Sequence, residues 1–261
     1  MIVSSFLTNK PEGSTPLEAL EQLRVEKGIV KDVPMTYAGR LDPMAEGLLL
    51  ILVGDECKKK DEYLGLDKEY EVEVLLGVGS DTGDVLGKLK TVESKQKIVI
   101  SKQKIIDAVK LLIGKRSEKY PAFSSRTVNG KPLFMHARNI AEQGESIKLV
   151  NAEMPEKEIE IYSADFINMH EISLDELVQT AKERIAKVKG DFRQEKILDS
   201  WEKMLSTNLN AFQKFQIVQL RIRSSSGAYM RTLAQKLGES LEISALAWKI
   251  KRTKIGDYTL N

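Results

Sequence analysis

The chain has 261 residues, 40 Lys+Arg against 38 Asp+Glu for a formal charge of +2, and 42% hydrophobic against 30% charged residues. That balance excludes a polybasic tail and a disordered chain, and it predicts a real core in one large domain or two small ones. A single Cys, Cys57, excludes an intrachain disulfide and a thiolate metal cluster.

The first residues, Met1 to Leu7, form too short an apolar stretch for an export signal, and no apolar run approaches the roughly 20 residues that span a bilayer. A cytoplasmic protein without membrane contact is expected. Thr15-Pro16-Leu17-Glu18 predicts a helix start, with Thr15 as N-cap, Pro16 in the first helical position and Glu18 closing a capping box. Gly28 would end this helix, and Leu17, Leu20 and Leu23 would form its buried stripe. The loop Ala38-Gly-Arg-Leu-Asp-Pro-Met-Ala-Glu-Gly47 then runs into Leu48-Leu-Leu-Ile-Leu-Val53, which reads as a buried strand. Gly39 and Gly47 permit unusual backbone angles at its two ends, and Pro43 holds Asp42 extended. One carboxylate is thus held at the mouth of a buried strand, although Asp-Pro alone is equally ordinary turn chemistry.

Tyr70, Val72, Val74 and Leu76 alternate with Glu71 and Glu73, which predicts a half-buried strand. Gly77-Val-Gly-Ser-Asp-Thr-Gly83 follows it. This stretch lacks the Lys-Ser/Thr of a P-loop and the spacing of a dinucleotide fingerprint, so it reads as a turn. Ser101 opens a helix with Ile105, Val109 and Leu112 as its stripe, Ile106 and Ile113 beside them, and Gly114 as the stop. Ile159 with Ile161, and Val218, Leu220 and Ile222, mark two later strands.

Between those strands, Ser173-Leu-Asp-Glu176 predicts a capping box and Leu174, Leu177, Val178, Ala181, Ile185 and Val188 follow at helical spacing. Gly190 breaks the pattern; Ile197, Leu198, Trp201 and Leu205 start a second stripe, so residues 173–215 read as an inserted helical hairpin. Met230 to Leu241 is predicted helical. Strands and helices without a regular βαβ rhythm favour α+β over a doubly wound fold. His136 and His170 sit in no metal-ligand pattern, and no GxSxG elbow is present. Lys58-Lys59-Lys60 and the group Lys249, Lys251, Arg252 and Lys254 read, taken alone, as solvated surface.

The blocks acquire meaning in series. Asn9-Lys-Pro-Glu-Gly-Ser-Thr15 is followed by Gly39-Arg-Leu-Asp42, Asp67-Lys-Glu-Tyr70, Tyr120-Pro-Ala-Phe-Ser124, Gly130-Lys-Pro-Leu-Phe134, Ala137-Arg138, Ser226-Gly-Ala-Tyr-Met-Arg231 and Ile250-Lys-Arg-Thr253. This order resembles the TruB family of tRNA pseudouridine-55 synthases from about Asn9 to Tyr258, apart from the helical insertion. The resemblance implies a single catalytic domain over residues 1–261, α+β, with a mixed, mostly antiparallel central sheet flanked by helices. It implies isomerisation of one uridine in the T-arm of tRNA by a monomer, without cofactor or metal. The catalytic residues would be Asp42, Tyr70 and Arg231. Asp42 would act as nucleophile toward the sugar or as the base that starts an elimination, Arg231 would clamp it bidentately, and Tyr70 would lie against the everted base. A carboxylate in a closed pocket loses solvation, and the guanidinium answers that need.

Substrate contacts would come from Lys10, Tyr37, Arg40, Arg126, Lys131, Arg138, Tyr229, Ile250, Lys251 and Arg252. Of these, Lys10 is expected either to brace the loop or to meet phosphate, and the C-terminal basic group would flank the RNA cleft. The chain departs from the family at Tyr37, where His is usual, and at Arg40, where Thr is usual. Gly39-Arg-Leu-Asp42 with Glu46-Gly-Leu-Leu-Leu50 also resembles the ribosomal-RNA synthases of the RsuA type, so a ribosomal substrate remains an alternative, as does a non-catalytic RNA scaffold. The sequence ends three residues after Tyr258 (261 − 258 = 3), which leaves no room in it for the C-terminal PUA domain of many relatives. The hairpin is expected to compensate in tRNA affinity.

Overall fold

The computed structural model describes residues 5–92, 99–142, 154–206 and 214–260. In chain order the elements are β1 (Ser5–Lys10), α1 (Pro16–Glu26), β2 (Met35–Ala38), β3 (Ala45–Val53), a 3-10 turn (Gly54–Lys59), α2 (Lys60–Leu64), β4 (Lys68–Leu76), β5 (Val78–Ser80) and β6 (Leu89–Val92). There follow α3 (Lys102–Lys110), β7 (Gly114–Lys119), β8 (Thr127–Val128), β9 (Lys131–Pro132), α4 (Leu133–Glu142) and β10 (Glu156–Ser173). The chain closes with α5 (Leu174–Ala186), α6 (Gln194–Ser206), β11 (Lys214–Ser224), α7 (Met230–Ser240), β12 (Ala245–Ile255) and β13 (Tyr258–Thr259).

Among the described residues nine strands form one sheet in the order β1-β3-β12-β4-β11-β10-β7, with β2 also on β3 and β13 on β12. Every pairing in it is antiparallel except β12 on β3, as the α+β reading expects. That one parallel pairing positions the site. β2 pairs the far half of β3 from Leu50 to Val53, whereas β12 pairs its first residues, Ala45 to Gly47. Residues 39–44 therefore loop out where one neighbour of β3 is exchanged for another. Gly47 is obligatory there: its φ is +107°, and a Cβ would collide with the Arg252 backbone of β12.

Local chemistry accounts for most elements. Thr15 and Glu18 form the complete capping box, which is worth about 1 kcal/mol. The helix buries Ala19, Leu20 and Leu23 against Leu49, Ile51 and Val53 of β3. Leu17 departs from the predicted stripe and stays 59% exposed, because its direction on the helix is away from the sheet. α3 starts at the Ser101 cap but ends at Lys110; Leu111, Leu112 and Ile113 close it with tight i to i−3 bonds, so Gly114 opens β7 rather than stopping the helix. Tyr70, Val72, Val74 and Leu76 face the main core under α3 and α7, as the alternation predicts.

The hairpin forms as expected over the described part of the insertion; residues 207–213 lie outside the described residues. Ser173 caps α5 through the Glu176 N–H. Leu177, Val178, Ala181 and Ile185 pack on Ile197 and Trp201, and Trp201 meets Trp248 of β12 edge to face at 6.1 Å. Met204, not Leu205, completes the α6 stripe, since i, i+4, i+7 from Ile197 reaches Met204 and leaves Leu205 exposed.

Candidate active site

Asp42 projects from the β2–β3 loop with its side chain 37% exposed. Its Oδ2 accepts a hydrogen bond at 2.7 Å from Nε of Arg231, the second residue of α7, which is 3% exposed. The pairing is not the bidentate fork expected from sequence. Nη1 of Arg231 donates instead to the Thr82 carbonyl at 2.6 Å and Nη2 to the Phe123 carbonyl at 3.2 Å. All three edges of the guanidinium are thereby fixed, and the one left for Asp42 is a single charge-assisted bond.

A second carboxylate stands behind the first. Asp84 Oδ2 lies 3.7 Å from Arg231 Nε, and its Oδ1 accepts from the Thr82 hydroxyl at 2.6 Å and the Leu86 N–H at 3.0 Å. Burial pushes the Asp84 carboxyl up from its ordinary value; Arg231 opposes this and the charge of Asp42 adds to it. Burial also works against the Arg231 charge, yet Asp42 and Asp84 outweigh it and hold the guanidinium above its usual range.

Asp42 opens on a cavity of about 380 Å3 lined by Tyr70, Tyr229 and Ile250 together with Lys68, Lys157 and Arg252. The Tyr229 phenol is pushed up to about 12, first by burial and then by the nearby Asp42 charge, so a protonated hydroxyl sits beside the carboxylate at neutral pH. Burial brings the Lys68 ammonium down to about 8, with the charges of Arg252 and Lys157 acting in the same direction. On its other side Asp42 lines a groove of about 470 Å3 shared with Tyr37, Arg40, Phe123 and Arg138 and with Phe192 and Arg193 of the hairpin turn. Among the described residues no group of three or more His, Cys, Asp or Glu is placed to hold a metal ion.

The remaining sequence-predicted residues divide. Tyr37 is half-buried between two cations, 5.8 Å from the Arg40 guanidinium and 5.6 Å from Lys60 Nζ. Arg126 and Lys131 are exposed around the β8–β9 turn, Arg126 lying 5.3 Å from the Tyr120 ring. Arg138 donates to the Asp191 carbonyl at 2.5 Å, which ties it to the hairpin.

Lys10 takes the bracing role that was one of its two expected ones, while Arg252 and Lys251 are engaged within the protein. Lys10 is fully buried and its Nζ donates to the carbonyls of Pro11, Ser14 and Pro43, so it braces the Asp42 loop and faces no phosphate. Arg252, 1% exposed, donates to the carbonyls of Leu48, Arg40 and Gly39 and fixes the path of the same loop. Lys251 points to the opposite face of β12 from Ile250 and stands in register between Glu46 and Glu71. Lys249 beside it pairs with Glu46 at 3.2 Å, and Lys254 lines a different cavity with Asp67 and Glu69. The C-terminal basic group thus forms a cross-strand charge ladder and a loop brace, and of its members Arg252 also lines the Asp42 cavity. Separation in sequence hides this, because the carbonyls that take Arg252 lie more than 200 residues away.

Residues 27–186, more than half of the chain, match the family model described as the TruB family pseudouridylate synthase N-terminal domain. The chain belongs to the TruB family. Curated relatives named tRNA pseudouridine synthase B include those of Nitrosomonas europaea (27% identical over 98% of this chain and 65% of the relative) and Chloroherpeton thalassium (25%, 98% and 84%). That of Protochlamydia amoebophila is 29% identical, over 98% and 75%. The chain thus spans just under two thirds of the Nitrosomonas protein. In fold it resembles a solved Cbf5-Nop10-Gar1 complex, with a TM-score of 0.58 at 15% identity over 99% of this chain and 50% of the other. The structure of an H/ACA RNP bound to a substrate RNA containing 2'-deoxyuridine gives 0.53 at 15% identity, over 99% and 49%.

Sequence reasoning passed over four groups of this TruB-family site. Lys68 and Lys157 stand two residues before Tyr70 and Ile159, so extending each strand's alternation backward would have placed both on the inward face. Thr82 and Asp84 lie in and just beyond the glycine-rich stretch set aside as a turn; β5 occupies part of that stretch, and its end holds Arg231.

Among the described residues no helix is long and apolar enough to cross a membrane.

Proposed function

We propose that the chain is a tRNA pseudouridine synthase that isomerises a uridine of the T-arm, with Asp42 as the reacting carboxylate. The observation that carries this is the Asp42–Arg231 pair, 2.7 Å apart, at the mouth of a cavity whose walls are Tyr70, Tyr229 and Ile250. A ring, an apolar side chain and a phenol suit the two faces and the polar edge of a pyrimidine turned out of its stack. The reaction breaks the bond from uracil N1 to ribose C1′, turns the base and joins C5 to C1′; C5 gives up its proton and N1 gains one, so the product is an isomer. Asp42 would act on the sugar, Arg231 would keep it charged and aimed, and Tyr70 would hold the base.

Positive side chains around the opening support a polyanion as partner. Lys68 and Lys157 line the cavity, Arg40 and Arg126 are exposed near it, and these with the exposed Lys131 of the β8–β9 turn would hold RNA backbone rather than read sequence. The chain is read as acting as a monomer, and a tRNA substrate fits action in the cytoplasm. The curated relatives favour tRNA over the ribosomal alternative. A scaffold without turnover has no use for a carboxylate that repels phosphate at the cavity mouth.

The test is tritium release from transcripts carrying 5-tritiated uridine. Release from tRNA, abolished when the T-arm uridine is replaced by cytidine, is the expected result. Release from a ribosomal fragment alone would move the substrate, and none from either would leave a scaffold.

A further inference from the structure

The α5–α6 hairpin is fastened to the body at points that adjoin both members of the Asp42–Arg231 pair. The first fastening is ionic. Arg184 of α5 donates to Glu12 through Nε at 3.0 Å and Nη2 at 2.6 Å, with the two side chains 9% and 8% exposed, and Lys187 adds a bond to Glu12 at 3.3 Å. The Arg184 guanidinium also lies 4.8 Å from the Trp248 ring. Burial alone would raise the Glu12 carboxyl, but the Arg184 hydrogen bond and charge outweigh it and hold the group below its ordinary value. Glu12 is followed by Gly13, whose N–H donates at 2.9 Å to the carbonyl of Pro43, the residue after Asp42. Gly13, with φ +91°, backs on Lys187 so closely that a Cβ would meet its side chain at 2.6 Å.

The second fastening bears on Arg231. Arg193, between the two helices, pairs with Asp81 at 2.8 Å and lies 4.6 Å from the Phe123 ring. Asp81 precedes Thr82, and the carbonyls of Thr82 and Phe123 are the two that hold Arg231. Both hairpin arginines are therefore occupied inside the protein. Arg184 is 9% and Arg193 13% exposed, which leaves neither free to grip phosphate.

We propose that the hairpin is a positioning element for the reaction: Arg184 through Glu12, and Arg193 through Asp81, hold the two loops that set Asp42 against Arg231. This deepens the synthase reading and rests on it. It differs from the expectation that the insertion serves tRNA affinity, because its two arginines act on the loops. A small displacement of a reacting group is enough to lower a rate severely, so the clamp is felt in turnover before it is felt in binding.

The experiment measures single-turnover pseudouridine formation at saturating tRNA, and the tRNA Kd, for the full chain and for Arg184→Gln, Arg193→Gln and the reversed pair Glu12→Arg with Arg184→Glu. Either single substitution is expected to slow the saturated rate by about tenfold or more with Kd within about twofold, and the reversed pair to recover part of the rate. Arg193→Gln leaves the Glu12 pair whole and carries the same readouts if Arg184→Gln does not fold. An unchanged saturated rate in folded variants overturns the proposal, and so does a loss confined to Kd, which would assign the hairpin to RNA contact. A wild-type chain that forms no pseudouridine on the same transcript would overturn the synthase reading itself, and the proposal with it.

Discussion

Two guanidiniums are buried within one site and do different work. Arg231 and Arg252 are 3% and 1% exposed. Two carboxylates, Asp42 and Asp84, face the Nε edge of the first, so its charge is held above the ordinary guanidinium value. Backbone carbonyls surround the second, and burial pulls it down, with Tyr70 opposing. One fixes a reacting oxygen and the other fixes the course of the loop that bears it. Residue type and burial are the same in both; the identity of the partners decides the role.

The contrast predicts graded effects. Arg231→Met should be the most damaging, slowing single-turnover pseudouridine formation by about a thousandfold and leaving Asp42 and Asp84 without a counter-charge. Arg231→Lys keeps the charge but cannot serve Thr82, Phe123 and Asp42 together, and a loss of about a hundredfold is expected. If Lys restores most of the rate, charge alone suffices and the three-edge geometry is irrelevant. Arg252→Met should show the reverse balance. Orphaning three carbonyls should lower stability by about 3 kcal/mol in denaturant unfolding, with only about a tenfold effect on rate. Equal rate losses at the two arginines would erase the distinction.

How much of this was readable from sequence depends on how local the cause is. The Thr15 capping box, the apolar run into Val53, the alternation from Tyr70 and the two hairpin stripes were legible because each is set by residues a few positions apart. The fold class followed from them. Partners of charged groups were not legible: Asp42 and Arg231 are 189 residues apart and Glu12 and Arg184 are 172 apart. The first pair was reached through resemblance of motifs, and the second left no trace in periodicity. Arg252 is expected on the RNA because a basic residue in a basic run reads as exposed until the carbonyls that bury it are known.

Smaller effects sharpen the same point. Lys68 stands at about 8 in the folded chain against 10.5 unfolded, so between those values the unfolded state binds more protons and stability should rise with pH. Lys68→Met should flatten that rise, by about 3 kcal/mol across the interval in denaturant unfolding at stepped pH. Persistence of the full rise would assign it to Lys10, which is brought to about 8 by its own burial. Smallest of all, Lys131→Ala and Arg126→Ala should leave the saturated rate unchanged. Each should reduce the slope of log Kd against log salt by about 0.7–0.9. A slope unaltered in both would take the β8–β9 turn off the RNA.

The most direct test is Asp42→Asn, which keeps size and hydrogen-bonding shape while removing the charge. Tritium release from 5-tritiated tRNA should fall by about ten thousandfold or more under single turnover, with the tRNA Kd within about threefold of wild type. An Asp42→Asn variant that still releases tritium at a rate near wild type would place the chemistry on another group and contradict the account at its centre.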